Sequence, residues 1–309
     1  MHGHSFDTNG FFFILKALLV LVVIGLGVHM VNAYPFSSDT QASVHEENIE
    51  EKETSIHPEI EIETSPPPIP ASGYLVGNLE TGEVYAERNA DVVRPIASIS
   101  KLMTAVVANE TIGYNTLVYV SNAAVRTYGN QGGLYEGQRM SLHTMFHPLL
   151  LSSSNDAGEA IAGHLGQTRF YDLMNRKAIA LKMKDTHFSD SSGLSDRNTS
   201  TPNDLFELAK YIYNHKKYIF DITTLPSATL LIEGTGLKQS FYNNNPFAGA
   251  AGFIGGKNGY TDNARKTLLS VFEMELAGRT YPIVIIVLGS EDHVSDTETL
   301  HSWFQEETL

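Results

Sequence analysis

The chain has 309 residues, of which 42% are hydrophobic and 18% charged, so it can bury a sizeable core and wholesale disorder is excluded. It contains no cysteine, which excludes disulfides, thiol catalysis and cysteine-ligated zinc. A net charge of −14 argues against a nucleic-acid-binding protein, which would carry a basic surface. Much of the acidity lies between Asp39 and Glu63, so the remaining chain is only mildly acidic.

The N-terminal residues 1–33 contain an apolar run, residues 11–31, in which Lys16 is the only formal charge. At about 1.5 Å per helical residue, this run is long enough to cross a hydrocarbon layer of roughly 30 Å. It is interpreted either as an uncleaved transmembrane anchor or as a signal peptide cut after Ala33. The length of the run and the absence of Lys and Arg before Lys16 favour the anchor. Both interpretations predict that the rest of the chain is exported.

Residues 34–70 are predicted to be a linker. The segment is acidic, almost free of aromatic residues, and ends in the sequence PPPIP at residues 66–70. Consecutive prolines favour extended polyproline II structure, and such a composition cannot bury enough apolar surface to fold. The linker is therefore expected to be solvated and disordered, and the globular domain is expected at residues 71–309.

From residue 71 onward, hydrophobic periodicity predicts both strands and helices. Strands at 74–79 and 84–87 flank the sequence ETGE, which is typical of a hairpin turn. The later elements are helices at 98–109, 142–151, 156–165, 170–182 and 203–214, strands at 267–273 and 281–288, and a helix at 296–305. The strand at 281–288 is apolar on both faces and is expected at the centre of a sheet. Strands at both ends predict an α+β domain whose terminal segments pair in one sheet.

Ser98 and Lys101 form a Ser-x-x-Lys motif at the start of the first helical pattern. Residues three apart share a face of a helix, so a neutral lysine could take the proton of the serine hydroxyl and make it a nucleophile. Burial or a neighbouring cation would lower the lysine pKa for this role. The helix start also directs backbone N–H groups toward the place where an oxyanion would develop. Taken alone the spacing is common, and a capping Ser98 beside a solvated Lys101 is the alternative.

Two further motifs follow along the chain. Ser153-x-Asn155 lies in a loop between two helical patterns, where its side chains could point into a cleft or cap the following helix. Lys257-Asn258-Gly259 precedes the late strands, and Asn-Gly is also a strong signal for a tight hairpin turn. The chain contains one Ser-x-x-Lys, one Ser-x-Asn and one Lys-x-Gly, in that order. This trio resembles the Ser-x-x-Lys, Ser-Asp-Asn and Lys-Thr-Gly motifs of penicillin-binding proteins and class A β-lactamases.

With these motifs, the sequence resembles the serine D-Ala-D-Ala carboxypeptidases, the low-molecular-weight penicillin-binding proteins of the peptidase S11 type. The resemblance covers residues 71–309. Its further segments are GLYEGQ at 133–138, LLLSSSNDA at 149–157, FYDLMN at 170–175, THFSDSSGL at 186–194 and GGKNGYT at 255–261. The resemblance implies a β-lactamase/transpeptidase-like α+β fold, in which helices flank an antiparallel sheet.

The resemblance also implies an acyl-enzyme mechanism on a peptidoglycan stem peptide that ends in D-Ala-D-Ala. Ser98 would attack the carbonyl between the two D-alanines with Lys101 as general base, and water would then hydrolyse the acyl-enzyme. Ser153, hydrogen-bonded to Lys101 and Lys257, would pass a proton to the leaving amine. β-Lactams are expected as covalent inhibitors of the same serine.

The substrate contacts are implied in the same way. The residues expected to bind substrate are Asn155, Lys257, Asn258, Gly259, Tyr260 and Thr261. Among them, Lys257, Asn258 and Thr261 would bind the free carboxylate, and the backbone N–H groups of Ser98 and Tyr260 would form an oxyanion hole. No cofactor or metal is implied. The N-terminal segment would tether the enzyme to the bacterial cell membrane with its domain on the extracytoplasmic side, unless cleavage releases it.

Three features depart from the family pattern. Asn258 stands where the family has threonine, Pro148 lies inside a predicted helix, and Arg265 adds positive charge after the third motif. The amide and the charge could alter carboxylate binding, and the proline could kink the helix. The alternatives left open are a weakly active or non-catalytic protein that binds stem peptides, a D,D-endopeptidase and a serine β-lactamase. The last is disfavoured because the Glu-x-x-Leu-Asn sequence of class A enzymes is absent.

Overall fold

The computed structural model describes residues 62, 64–129, 132–276 and 278–308. The predicted anchor or signal segment at 1–33 and most of the predicted linker at 34–70 lie outside the described residues. None of the helices in the described part combines the length and the apolarity needed to cross a bilayer. The expectations for the N-terminal segment therefore stay predictions.

A five-stranded antiparallel sheet forms the centre of the fold, in the order β2-β1-β11-β10-β9. Its strands are β1 (Gly73–Asn78), β2 (Val84–Arg88), β9 (Phe253–Thr261), β10 (Arg265–Leu276) and β11 (Arg279–Ser290). β1 pairs with β11, with Gly73 opposite Leu288 and Asn78 opposite Ile283. The prediction that terminal segments pair in one sheet is confirmed.

Helices cover the sheet on both sides. The helices of the described residues are α1 (Ser100–Thr111), α2 (Asn122–Val125), α3 (Leu142–Leu150), α4 (Asn155–Leu165), α5 (Gln167–Ala180), α6 (Pro202–His215), α7 (Tyr218–Thr224) and α8 (His293–Thr308). The short strands are β3 (Arg94–Pro95) paired with β6 (Thr199–Ser200), β4 (Leu117–Tyr119) with β5 (Arg139–Ser141), and β7 (Ser227–Leu231) with β8 (Lys238–Tyr242). Serine or threonine caps α3, α4 and α6, as short polar residues commonly do at helix starts.

β11 separates two hydrophobic clusters, because successive side chains of a strand point to opposite faces. Its side chains in the larger cluster are Val284, Ile286 and Leu288, and those in the smaller cluster are Ile283, Ile285 and Val287. The larger cluster contains residues of α1 and α3 to α7, and the smaller one contains Trp303 and Phe304 of α8. Each fully buried Val, Leu or Ile contributes roughly 1.5–3 kcal/mol. The predicted central position of this strand is confirmed.

The last residues of the predicted linker pack against the domain. Ile69 is buried in the smaller cluster, and Arg88 donates a hydrogen bond to its carbonyl oxygen at 2.8 Å. At this end the segment is packed rather than solvated, because an isoleucine between the prolines finds an apolar surface to cover. The described part of the fold therefore begins before residue 71.

The elements of the described fold that were not predicted are α2, α7, the short strands β3 to β6, the β7–β8 hairpin and β9. The alternative that Asn258 and Gly259 form a tight turn is wrong, since both lie inside β9 opposite Leu268 and Thr267 of β10. The turn that joins β9 to β10 lies at 262–264. Pairing with a neighbouring strand has overridden the local turn preference of Asn-Gly.

Candidate active site

The three sequence motifs meet at one cavity of about 820 Å³. The predicted site residues in its wall are Ser98, Ser153, Asn155, Asn258, Gly259, Tyr260 and Thr261. The two remaining predicted residues, Lys101 and Lys257, are 0% and 1% exposed. Lys101 contacts Ser98 and Asn155 from the protein interior. The structure therefore brings together side chains from all three motifs.

Ser98 lies in a single 3₁₀ turn (Ala97–Ile99) that leads directly into α1. Ile96 and Ile99 on either side are fully buried in the larger hydrophobic cluster. Ala97 has a φ of 48°, in the left-handed region that an alanine rarely adopts. This turn of the backbone lets Ser98 face the cavity while its neighbours face the core. Backbone strain of this kind persists only where surrounding packing imposes it.

The Lys101 amine is the centre of the hydrogen bonds at the site. It donates to Ser98 Oγ at 2.9 Å, to Asn155 Oδ1 at 2.8 Å and to the carbonyl oxygen of Ser192. Three donors are the full capacity of a lysine ammonium group. The alternative of a solvated Lys101 is therefore wrong, and the lysine instead joins the first two motifs.

Burial lowers the pKa of Lys101 to about 7, because the ammonium group loses its hydration. The negative charges of Asp190, Glu159 and Asp156 raise this pKa and oppose the effect of burial. With a pKa close to neutral pH, both protonated and neutral amine are populated. That is the condition under which a side chain works best as a general base.

Ser153 and Asn155 come from the turn between α3 and α4. The N-cap of α4 is Ser154, whose hydroxyl accepts the Ala157 N–H at 3.0 Å, so Ser153 is not needed for capping. Ser153 has a φ of 56° and lies in the cavity wall. Asn155 is held in place from the other side by donating from Nδ2 to the Tyr128 carbonyl at 2.9 Å.

Ser153 is hydrogen-bonded to neither lysine amine among the described residues, which corrects the contact implied by the resemblance. The three donors of Lys101 are already used. The Lys257 amine folds back to the carbonyl oxygen of Asn258 at 2.7 Å and to its Oδ1 at 3.2 Å. A proton transfer through Ser153 would therefore require one of the amines to reorient when substrate enters.

Lys257 is buried in β9 beside the other lysine. Burial, together with the charge of Lys101, lowers the pKa of Lys257 well below the usual lysine value. Asn258 accepts from this amine and donates from Nδ2 to the Asn244 carbonyl at 3.2 Å. The amide that stands in place of the family's threonine thus makes a second contact to the lysine.

Two glycines allow other segments to approach the backbone of Ser98. A Cβ on Gly259 would lie 2.7 Å from the Ser98 nitrogen and 2.8 Å from Thr267 Oγ1. A Cβ on Gly193 would overlap the Ala97 carbonyl oxygen, and its φ of +83° also favours glycine. β9 and the segment around Gly193 can therefore pass closer to the nucleophile than any residue with a side chain would permit.

Sequence reasoning gave no role to residues 190–195, which the structure places beside the motifs. The backbone N–H groups that donate to the Asp190 carboxylate are those of Ser192 at 2.8 Å, Gly193 at 2.6 Å and Ser195 at 2.7 Å. This network fixes the Ser192 carbonyl that accepts from Lys101. In the sequence, the segment THFSDSSGL contributes only to the family resemblance, since nothing in its spacing indicates a partner for a distant lysine.

The two remaining departures are accommodated locally. Pro148 lies near the end of α3, and its carbonyl accepts the Ser154 N–H at 2.9 Å, which closes the turn that carries Ser153. The Arg265 guanidinium pairs with Glu291 at 2.6 Å on the surface. Its positive charge is thus partly compensated by a neighbouring carboxylate.

The Ser98 hydroxyl is hydrogen-bonded to a buried amine whose pKa is close to neutral pH. Such a pair can carry out nucleophilic acyl transfer. Among the described residues, no three His, Asp or Glu side chains are grouped so as to hold a metal ion.

The fold is similar to that of the Streptomyces K15 DD-transpeptidase, with a TM-score of 0.70 at 24% identity, covering 78% of this chain and 98% of that chain. The predicted transpeptidase-like α+β fold is therefore confirmed.

Sequence comparison identifies the family. Residues 60–291 match the peptidase S11 family, described as D-alanyl-D-alanine carboxypeptidase. D-alanyl-D-alanine carboxypeptidase DacB2 of Mycobacterium tuberculosis is 32% identical over 243 residues, 76% of this chain and 82% of the relative. The D-alanyl-D-alanine endopeptidase of Pseudomonas aeruginosa is 29% identical over 266 residues, 79% of this chain and 83% of the relative. The chain belongs to the D-alanyl-D-alanine carboxypeptidase family of hydrolases.

Proposed function

We propose that this protein is a serine-type D-Ala-D-Ala carboxypeptidase that removes the terminal D-alanine from peptidoglycan stem peptides. The observation that carries the proposal is the 2.9 Å hydrogen bond between the Lys101 amine and the Ser98 hydroxyl. A buried lysine with a pKa of about 7 can take the serine proton at neutral pH. The description of the family, D-alanyl-D-alanine carboxypeptidase, supports the bond between the two terminal D-alanines as the bond that is cut. The same serine would be acylated by β-lactams.

In the proposed reaction, neutral Lys101 accepts the proton of Ser98 as the serine oxygen attacks the carbonyl carbon between the two D-alanines. Backbone N–H groups of Ser98 and Tyr260 bind the oxyanion. The C–N bond breaks as the proton passes through Ser153 to the leaving amine, which releases D-alanine and leaves an ester on Ser98. Water, deprotonated by Lys101, then hydrolyses the ester and restores the serine.

Substrate recognition is assigned to Lys257 and to residues of the cavity wall. Asn155 holds the peptide amide, while Lys257, Asn258 and Thr261 bind the terminal carboxylate. Hydrogen bonds to charged groups are stronger than neutral ones, which suits a substrate recognised by its free end. Gly259 supports this recognition by keeping β9 close to Ser98.

Release of D-alanine from a synthetic pentapeptide tests the proposal, together with labelling by a fluorescent penicillin. We expect release and a stable label. Rapid turnover of the drug would indicate a β-lactamase, and the absence of both release and label would indicate a non-catalytic protein that binds stem peptides. Because several relatives are named endopeptidases, a cross-linked peptide dimer is offered in parallel. Faster cleavage of the dimer than of the pentapeptide would indicate that this protein is a D,D-endopeptidase.

Lys257→Ala is expected to slow acylation by about 10- to 100-fold, the value of a hydrogen bond to a charged group. Asn258→Thr is expected to change the rate by less, since it restores the family's hydroxyl and retains the lysine. The measurement is the rate of penicillin labelling for both variants and the native protein. Equal rates for the native protein and Lys257→Ala would contradict the assignment of Lys257 to the carboxylate.

Gly259→Ala is expected to slow acylation by about 10²-fold, because its Cβ would push β9 away from the Ser98 N–H and disturb the oxyanion site. Gly163→Ala is the matched control, since an added Cβ at that position meets no described atom within 4 Å apart from the backbone of α4 and the neighbouring residues. Labelling rates and melting temperatures of both variants are compared. An unchanged labelling rate in a folded Gly259→Ala protein would argue against this role for β9.

We also propose that the domain lies on the extracytoplasmic side of a bacterial membrane, because its proposed substrate is cell-wall peptide and residues 11–31 are apolar. Cell fractionation with protease treatment of intact cells tests this. Retention in salt-washed membranes would support the anchor, and release into the medium would support a cleaved signal. Protection of the domain in the cytoplasm would refute export.

A further inference from the structure

Asp196 places a carboxylate of the protein itself in the wall of the active-site cavity. Its Oδ1 accepts the Thr261 hydroxyl at 3.4 Å, and its Oδ2 accepts the side-chain amide of Asn263. Thr261 ends β9, and Asn263 lies in the following turn. One of the donors that the proposed function assigns to the substrate carboxylate is therefore already bonded to an internal carboxylate.

The backbone on both sides of Asp196 is anchored. On one side, the Ser195 N–H donates to the Asp190 carboxylate at 2.7 Å. On the other, Asn198 is fully buried, and its Oδ1 accepts the N–H groups of Ser189 at 2.8 Å and Asp190 at 3.1 Å. The exposed Asp196 side chain is thus presented to β9 by a fixed segment rather than by a loose loop.

Other titratable side chains in the cavity wall differ in what they contact. Asp262 accepts the Tyr260 hydroxyl at 3.0 Å, while Lys266 and His293 line the same cavity. Asp262 carries the same charge as Asp196, but its side chain accepts the Tyr260 hydroxyl and, among the described residues, is not hydrogen-bonded to Thr261 or Asn263. Direct competition for Thr261 is therefore a property of Asp196, whereas both acids repel an incoming anion.

We propose that Asp196 is a specificity-determining residue that competes with the substrate's terminal carboxylate for the Thr261 hydroxyl. A substrate carboxylate must displace Asp196 or bind beside its charge, whereas a neutral C-terminal amide is not repelled. Asp196 thereby weakens the preference for peptides that end in a free carboxylate. The inference rests on the proposed function, from which it takes the role of Thr261.

The test measures peptide affinity by calorimetry in a Ser98→Ala background, where no hydrolysis takes place. The probes are a peptide ending in D-Ala-D-Ala and the same peptide as its C-terminal amide. Asp196→Asn is expected to strengthen binding of the acid on the order of fivefold at low salt, the effect of one unit charge about 4 Å away in water, and to leave the amide unchanged. Asp262→Asn is the matched control and is expected to have a smaller effect. Melting temperatures confirm that each variant is folded.

Four results would overturn the inference: no gain for the acid, an equal gain for the amide, an equal gain in Asp262→Asn, or no peptide binding at all. D-alanine release by the native protein is measured separately. Normal release without the shift in affinity would reject only the role of Asp196. A shift in affinity without release would reject only the proposed hydrolysis.

Discussion

Ser98→Ala is expected to lower D-alanine release by about 10⁴-fold or more and to abolish covalent labelling by penicillin, as removal of a nucleophile does in serine hydrolases. The reason lies in the partners of Lys101. Ser98 supplies the only hydroxyl among the three groups that accept from this amine in the described structure, the others being an amide oxygen and a backbone carbonyl. In the part of the chain that the structure describes, no second hydroxyl is hydrogen-bonded to the base. Peptide affinity should persist, because Asn155 and the β9 residues are untouched.

Intact-protein mass spectrometry after penicillin treatment measures the label, and peptide mapping locates it. Ser100→Ala is the control, since Ser100 lies two residues away but donates to the Ala97 carbonyl at 2.8 Å and accepts from Asn198 at 3.1 Å. That variant should still be labelled at Ser98. A covalent adduct on another serine of the Ser98→Ala protein would show that the nucleophile had been misassigned.

Elements with a strong local pattern could be predicted from the sequence. α6 extends over Pro202–His215, and its apolar periodicity predicts 203–214. β11 extends over Arg279–Ser290, and its continuous apolar run predicts 281–288 at the centre of the sheet. In both cases the side chains that define the pattern are those that the fold buries, so local sequence and tertiary packing agree.

Features that depend on distant partners could not be predicted in this way. Asn258-Gly259 has the sequence of a turn but lies in a strand, because β10 offers it a pairing partner. The carbonyl of Ser192 is 91 residues from Lys101 in sequence, and no periodicity relates them. The motif trio does predict that Ser98, Ser153 and Lys257 approach one another, yet the hydrogen bond from Ser153 to a lysine is not formed. Motifs indicate which residues meet, whereas the hydrogen-bond partners follow from packing around them.

Lys101→Met is expected to slow acylation by about 10²- to 10⁴-fold, the usual contribution of a general base. Methionine fills a similar volume but cannot accept the Ser98 proton. Lys101→Arg should be similarly inactive, because a guanidinium keeps its proton in proteins even where it retains donors for Asn155 and Ser192. Labelling rates of both variants at saturating penicillin measure the effect. Substantial labelling of a folded Lys101→Arg protein would remove Lys101 from the role of base.

The pH dependence of acylation follows from the same amine. Only neutral Lys101 can accept the proton, so the rate in the native protein should rise about tenfold per pH unit below the pKa of about 7 and level off above it. In Lys101→Met the residual rate should lose this rise. A native profile that is flat between pH 5 and pH 8, or a rise that persists in Lys101→Met, would contradict the assignment.

Folding stability should show the cost of burying this lysine. The pKa of Lys101 is about 7 in the folded protein and 10.5 in the unfolded chain. Between pH 7 and pH 10.5, the amine is therefore mostly neutral in the folded protein and mostly protonated in the unfolded chain. The free energy of unfolding therefore rises with pH across this window, and the penalty is largest below pH 7. Lys101→Met removes the contribution, so the native-minus-variant difference in unfolding free energy should increase from pH 7 to pH 10. A difference that is independent of pH would mean that Lys101 keeps an ordinary pKa, and the amine would then be protonated when Ser98 has to lose its proton.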